Sequence, residues 1–320
     1  MKVKVINSVS RYTEKDIFKY LISIYGDRFE KYRTEWQLSS EGKYLPNFPL
    51  CLNYELIDNC NLRCIHCARQ VQKSNRGRLG IEIFKKTIDE GERFFLPSIK
   101  IGFGEPFLER QIFDMIDYAS NHGVMDIIVT TNGTLFGEEE IDKLLNSKIT
   151  FLRISIDAAS EEGYAKVRGG DLSAIEGMVK RLLTKRAERK QQLPLIRLSF
   201  VVTQENKHET ELFIDKWANI VDFIDFQNYI EPPMPMLENH TDIEPVCSNF
   251  FCSYPWQMMA IMGDGDIRAC CSWYGERLIL GNLKSGTIKE AWESKSMNIL
   301  RGQIRANTYT GYCAICVTSR

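Results

Sequence analysis

From residue 50 onward the chain alternates two hydrophobic periods. Leu50-Cys51-Leu52-Asn53-Tyr54-Glu55-Leu56-Ile57 alternates apolar and mixed positions, as a strand does, and helical spacing follows over 81–94. The alternation then recurs. Ile99-Lys100-Ile101-Gly102-Phe103 predicts a second strand, with a helix near 108–121. Asp126-Ile127-Ile128-Val129-Thr130 predicts a third, with a helix near 138–146. Phe151-Leu152-Arg153-Ile154-Ser155-Ile156 predicts a fourth. The long charged helix near 172–190 must stop before Pro194. Leu195–Val202 reads as a fifth strand, 207–219 as a helix, and Phe223-Ile224-Asp225-Phe226-Gln227 as a sixth strand. Repeated βα units imply a parallel sheet. Periodicity alone allows an open doubly wound sheet or a partial barrel.

Before this region, Thr13 fits an N-cap. Ile17, Leu21 and Ile24 form one apolar helical face, expected to pack on the main domain or a partner. Residues 38–47 are polar and read as a linker. After the sixth strand, Pro232-Pro233-Met234-Pro235 reads as a rigid connection. The expected division is an N-terminal extension over 1–48, an α/β core over 49–231, a linker over 232–244 and a small cysteine-rich domain over 245–320.

The formal net charge of −1 gives no electrostatic case for a nucleic acid or a membrane surface as partner. No apolar run reaches the ~18 residues of a membrane span. Met1-Lys2-Val3-Lys4 lacks the apolar run of an export signal, so a cytoplasmic location is expected. The ten cysteines fall in two groups, 51–67 and 247–316. With export unexpected, they read as ligands rather than disulfides.

Cys60, Cys64 and Cys67 follow the first strand with C-x3-C-x2-C spacing. Three thiolates on one short loop can hold one face of an iron–sulfur cluster and leave an iron open. A zinc knuckle with a remote fourth ligand competes, although zinc loops more often use C-x2-C pairs. This motif resembles the signature of the radical S-adenosylmethionine (radical SAM) enzymes. The resemblance implies a partial (β/α)6 barrel and a [4Fe-4S] cluster whose open iron binds SAM. It also implies reductive cleavage of SAM to a 5′-deoxyadenosyl radical and a donor such as flavodoxin or ferredoxin. His66 occupies the position before the third cysteine, where the family usually has an aromatic residue whose backbone lies near the adenine.

In parallel α/β folds, ligands sit at the C-terminal ends of strands. The second strand ends in Gly102-Phe103-Gly104-Glu105-Pro106. It resembles the family's G-x-G-E-P motif, which implies that Glu105 binds the methionine ammonium and that Gly104 gives access. The third strand ends in Thr130-Thr131-Asn132-Gly133, where Asn132 matches a family position lining the site. Strand alternation puts Ser155 and Asp157 on one side, and the resemblance suggests the SAM ribose and carboxylate as their partners. Arg168 resembles a position that pairs with the SAM carboxylate, a solvated surface arginine being the alternative. Arg197, Ser199, Thr203 and Asn206 face either substrate or solvent.

In the C-terminal region, Gly263-Asp264-Gly265-Asp266 between apolar runs predicts a β-hairpin bringing Cys252 and Cys270 together at its base. Cys313 and Cys316 then complete a four-thiolate site, which on residues alone suits zinc equally well. The region resembles the SPASM/twitch extension of radical SAM enzymes. The resemblance implies one auxiliary [4Fe-4S] cluster on Cys252, Cys270, Cys313 and Cys316, with Cys271 able to replace Cys270. Cys51, Cys247 and Cys271 remain, and buried inert thiols are the default. Some radical SAM epimerases return a hydrogen atom from a thiol, which makes Cys271 and Cys247 candidate donors. The expected reaction is hydrogen abstraction from a small molecule, such as a sugar or aminocyclitol, giving oxidation or epimerisation. The 48-residue extension looks short for a peptide-recognition domain. Peptide or protein maturation is the alternative, and a non-enzymatic metal-stabilised binding module is a reading of another class.

Overall fold

The computed structural model describes residues 8–70, 75–229, 244–272, 275 and 277–318. The proline-rich stretch 232–235 lies outside them. The chain begins with β1 (Ser8–Ser10), α1 (Glu14–Tyr25) and α2 (Asp27–Ser40). The βα units follow as β2 (Cys51–Glu55), α3 (Ile81–Phe94), β3 (Ser98–Gly102), α4 (Ile112–Asn121), β4 (Asp126–Thr131) and α5 (Glu138–Asn146). Then come β5 (Phe151–Ser155), α6 (Glu161–Val167), α7 (Leu172–Glu188), β6 (Leu195–Val202), α8 (Thr210–Trp217) and β7 (Phe223–Asn228). Strands β2 to β7 are parallel neighbours in sequence order, the topology of a partial (β/α)6 barrel.

Strand alternation sorts the side chains. Leu52, Tyr54, Ile99, Ile101, Ile127, Val129, Leu152, Ile154, Ile196 and Leu198 belong to one buried core under the outer helices. The register puts Asn53 beside Lys100 and Thr130 beside Arg153, with Arg153 in turn beside Arg197. These positions share the opposite, lumen face. The lumen is therefore polar where the outer face is hydrocarbon.

Thr13 caps α1 as expected, with a reciprocal capping box to Asp16. Ile17 and Leu21 are buried, whereas Ile24 is exposed, so the apolar face is narrower than its spacing suggested. Helix α2 was not expected, and it takes in residues 38–40 of the expected linker. Its polar run buries only Phe29, Tyr32 and Ser39, so it lacks a clear helical period. Together, α1 and α2 pack on Leu50, Met125, Leu195 and Phe223, at the N-terminal feet of the strands.

The C-terminal region comprises β8 (Val246–Cys247), α9 (Tyr254–Gln257), β9 (Met258–Ile261), β10 (Asp266–Arg268) and β11 (Ile279–Asn282). It continues with α10 (Ile288–Trp292), α11 (Lys295–Arg305), β12 (Thr308–Tyr309) and α12 (Gly311–Thr318). The β9–β10 hairpin turns through Gly265, whose φ of +90° suits glycine. The sequence did not predict that β9 pairs parallel with β2 and extends the barrel sheet to ten strands.

Candidate active site

The cysteine loop leaves β2 at Glu55 and is anchored from several sides. Asp58 N–H donates to Gly77 O at 2.8 Å and Leu79 N–H to Leu56 O at 3.0 Å. Ile65 N–H donates to Val167 O, at the end of α6. Buried Glu55 accepts from Arg76 Nε at 2.6 Å and from Gly263 N–H at 3.1 Å, which ties the loop to the C-terminal hairpin. Arg69 pairs with Asp58.

Each thiol has a fixed neighbourhood. Cys60 Sγ accepts from Leu62 N–H at 3.5 Å, and Asn132 Nδ2 lies 3.8 Å away. Arg168 Nη1 lies 3.7 Å from Cys64 Sγ. Burial pushes the Cys64 thiol up to about 11, against the pull of Arg168 and with Cys67 and Cys60 adding to the rise. The three thiols thus share one electrostatic neighbourhood, and donors already surround two of the sulfurs. That donor set suits thiolates carrying negative charge. Among the described residues, no three His, Cys, Asp or Glu side chains converge closely enough to grip a single ion.

The strand-end motifs brace this loop. Gly104 has φ +58°, and a Cβ there would lie 2.3 Å from Asn59 O. Its glycine therefore lets the β3 loop lie against the cysteine loop, where Glu105 N–H donates to Asn59 O at 2.8 Å. Glu105 is fully buried. It accepts from Thr131 Oγ1 and Asn132 N–H, both at 2.8 Å, and from Phe107 N–H at 3.2 Å. Burial raises its pKa, and the Asn132 N–H, the Thr131 hydroxyl and the Phe107 N–H oppose the rise. Asn132 donates to Asn61 Oδ1 at 2.8 Å, and Asn61 donates to Thr134 Oγ1 at 2.7 Å. The strand-end motif and the cysteine loop are one hydrogen-bonded unit.

Asp157 departs from the expected geometry. It has left β5 with φ +61°, so it does not continue the alternation from Ser155. Its Oδ2 accepts from Arg168 Nε at 2.7 Å and lies 3.1 Å from His66 Nε2, while Oδ1 accepts from Val201 N–H at 2.7 Å. Although burial works the other way, Arg168 and His66 hold its pKa below the ordinary carboxylate range. Arg168 caps the end of α6 and is 8% exposed, so it is no solvated surface arginine. Ser155 instead meets Ser199 across the lumen face, with their hydroxyls 3.2 Å apart. His66 Nδ1 is buried without a partner among the described residues, an opening that a ligand can fill. Thr203 and Asn206 are buried away from solvent. Asn206 accepts from Thr203 N–H and donates to Asp157 O and Val201 O, fixing the loop after β6.

At the C-terminal end, Cys252, Cys270, Cys313 and Cys316 line one apolar cavity with Leu300 and Ile304. Cys313 and Cys316 share one face of α12 at i, i+3. Burial drives the Cys313 thiol up to about 12, with Cys252 and Cys316 as the next causes. Cys271 does not line this cavity. Burial raises its thiol pKa, and the Lys100 charge and the Asn53 and Tyr254 side chains work against the rise. Cys247 is exposed on β8.

Residues 54–215 match the profile of the radical SAM superfamily, and residues 252–317 match SPASM, an iron–sulfur cluster-binding domain. The chain belongs to the radical SAM superfamily. A SAM-binding [4Fe-4S] cluster, SAM and auxiliary iron–sulfur ligation go with that membership. Mycofactocin maturase MftC of Mycobacterium ulcerans (strain Agy99) is 36% identical over 121 residues, 38% of this chain and 32% of that protein. The match thus spans about a third of that relative's length. Streptococcus suis SuiB bound to precursor peptide SuiA superposes at TM-score 0.61 with 17% identity, covering 87% of this chain and 71% of that one. His-tagged anSMEcpe with bound AdoMet superposes at 0.59 with 17% identity, covering 78% and 82%. Among the described residues, no helix is long and apolar enough to cross a membrane.

Proposed function

We propose that this radical SAM enzyme modifies a peptide or protein substrate. Cys60, Cys64 and Cys67 hold the cluster that binds SAM, and Cys252, Cys270, Cys313 and Cys316 hold an auxiliary one. The single observation that carries the first assignment is the braced cysteine loop, with Asn132 and Arg168 set against the sulfurs of Cys60 and Cys64. With reductant, cluster and SAM supply a radical able to abstract a hydrogen atom from an unactivated carbon.

The chain's own residues position and shield. Glu105 fixes the Asn132 turn against the cysteine loop. Asp157, Arg168 and His66 form a buried bridge beside Cys64, and the unpartnered Nδ1 of His66 is left to meet SAM. Ser155 and Ser199 face the lumen, where the substrate enters. Of the two thiols considered as hydrogen donors, Cys271 has the lumen-side neighbours Asn53 and Lys100, and Cys247 does not. The preference for a peptide over a small molecule rests on the maturase name of the similar MftC proteins. The shortness of the N-terminal extension does not weigh against it. That segment packs on the feet of the barrel strands, so its length does not measure peptide recognition.

The test is anaerobic reconstitution followed by incubation with SAM and dithionite. We expect 5′-deoxyadenosine in the wild type and none in Cys60/Cys64/Cys67→Ala. Equal release from both would sink the assignment.

A further inference from the structure

Three arginines converge on one cavity at the lower end of the lumen. The cavity, of ≈ 260 Å³, lies between the N-terminal helices and the feet of the barrel strands. Arg153 of β5 and Arg197 of β6 enter it from adjacent strands, in register, and Arg33 enters from α2. The Nε of each is buried and has no hydrogen-bond partner among the described residues. Their counter-charge is thin. Asp225 Oδ2 is shared, at 2.8 Å from Arg197 Nη1 and 3.5 Å from Arg153 Nη2. The other carboxylate, Asp126, spends its oxygens on the hydroxyls of Tyr32 at 3.1 Å and Thr150 at 2.7 Å. Arg33 lies over the rings of Phe18, Tyr32 and Trp36. Three guanidinium groups thus face two carboxylates, one of them already bonded elsewhere. Burial and the neighbouring Arg197 depress the pKa of Arg153, and the shared Asp225 works against the fall. Such repulsion is retained at a cost to stability unless an anion relieves it.

We propose that this cavity binds a carboxylate of the substrate. The planar fork of a guanidinium matches a carboxylate in two-point geometry, and three forks around one space favour an anion over water. Arg153 lies two residues before Ser155, about 7 Å lower at the rise of a parallel strand. A carboxylate held there anchors a substrate that extends up the lumen, past Ser155 and Ser199, toward the cysteine loop. This deepens the reading of a peptide substrate, on which it rests. An acidic side chain and a free chain terminus would present the same chemistry. The N-terminal extension then contributes a binding residue, Arg33, as well as packing.

The experiment uses the reconstituted full-length protein at constant ionic strength and follows thermal unfolding. The probes are N-acetylglycine, with a terminal carboxylate, N-acetylglutamate α-amide, with a side-chain carboxylate, and neutral N-acetylglycinamide. We expect at least one carboxylate at about ten times its dissociation constant to raise the midpoint by roughly 2–3 °C relative to the neutral probe. The stronger of the two identifies the source. Arg153→Gln/Arg197→Gln should abolish the difference, and Arg153→Lys/Arg197→Lys should retain at least half of it. Equal responses to charged and neutral probes in the wild type overturn the proposal, as does a full response in the glutamine pair. If the glutamine pair does not fold, the wild-type comparison and the lysine pair decide. Release of 5′-deoxyadenosine is measured separately on the wild type. Its presence without a carboxylate response overturns the anion site alone, and its absence overturns the proposed SAM cleavage on which the substrate reading rests.

Discussion

Replacing Glu105 by glutamine changes one acceptor into a donor at the centre of the braced loop. Glu105 Oε1 receives both Thr131 Oγ1 and Phe107 N–H, and Oε2 receives Asn132 N–H. A glutamine can keep the Asn132 bond by turning its oxygen that way. Its amide nitrogen then meets Phe107 N–H head-on, and the Thr131 hydroxyl must reverse its role while still accepting from Gly133 N–H. A buried donor left without an acceptor costs about 1–3 kcal/mol. The two surviving bonds lose their charge assistance, adding roughly another 1 kcal/mol. The expected loss is therefore about 2–4 kcal/mol. Because Asn132 also contacts Cys60 and Asn61, iron retention should fall with it. Urea unfolding of the reconstituted protein, read beside its iron content, measures both. A loss below about 0.5 kcal/mol with iron unchanged would refute the view that Glu105 braces the cysteine loop.

Wild type should reconstitute to about eight irons, falling to about four in Cys60/Cys64/Cys67→Ala and to about four in Cys313/Cys316→Ala. Four in the wild type would remove the auxiliary cluster. Cys270→Ala should lose auxiliary iron while Cys271→Ala keeps it, because only Cys270 lines the four-cysteine cavity. The reverse result would exchange the two assignments. Arg168→Gln takes the guanidinium from buried Asp157, leaving it His66 and the Val201 N–H, and a cost of about 3–5 kcal/mol is expected in thermal or chemical denaturation. A change under 1 kcal/mol would mean that the pair is not held as described. Gly104→Ala combines a positive φ with a contact 2.3 Å from Asn59 O. It should cost at least about 1–2 kcal/mol and weaken SAM binding, read by equilibrium dialysis.

The six parallel strands were legible because each pairs a short β-branched or aromatic run with a helical period. The cysteine motif was legible because its spacing is local. Helix α2 was not, since most of its positions are polar and its contacts come from the strand feet. Arg153 was hidden for a related reason, and Arg197 was named only as facing substrate or solvent. One charged residue inside a strand says nothing until register sets it beside another, and that register joins segments 44 residues apart. Asp157 was misplaced by extending strand alternation one step beyond the end of β5. There its positive φ turns the carboxylate back toward Arg168. The join between β9 and β2 depends on contacts across more than 200 residues, beyond the reach of any local pattern.

That join has a consequence for how the chain is made. Strand β2 emerges early in synthesis, yet its partner Met258–Ile261 follows long after. Until then, one side of β2 presents unpaired backbone groups, the kind of edge that invites pairing with a foreign strand. Long-range parallel pairing is also slow to form. A chain truncated before residue 258 would keep that edge permanently open. It should therefore be prone to aggregation even with all six barrel strands and the first cysteine motif intact.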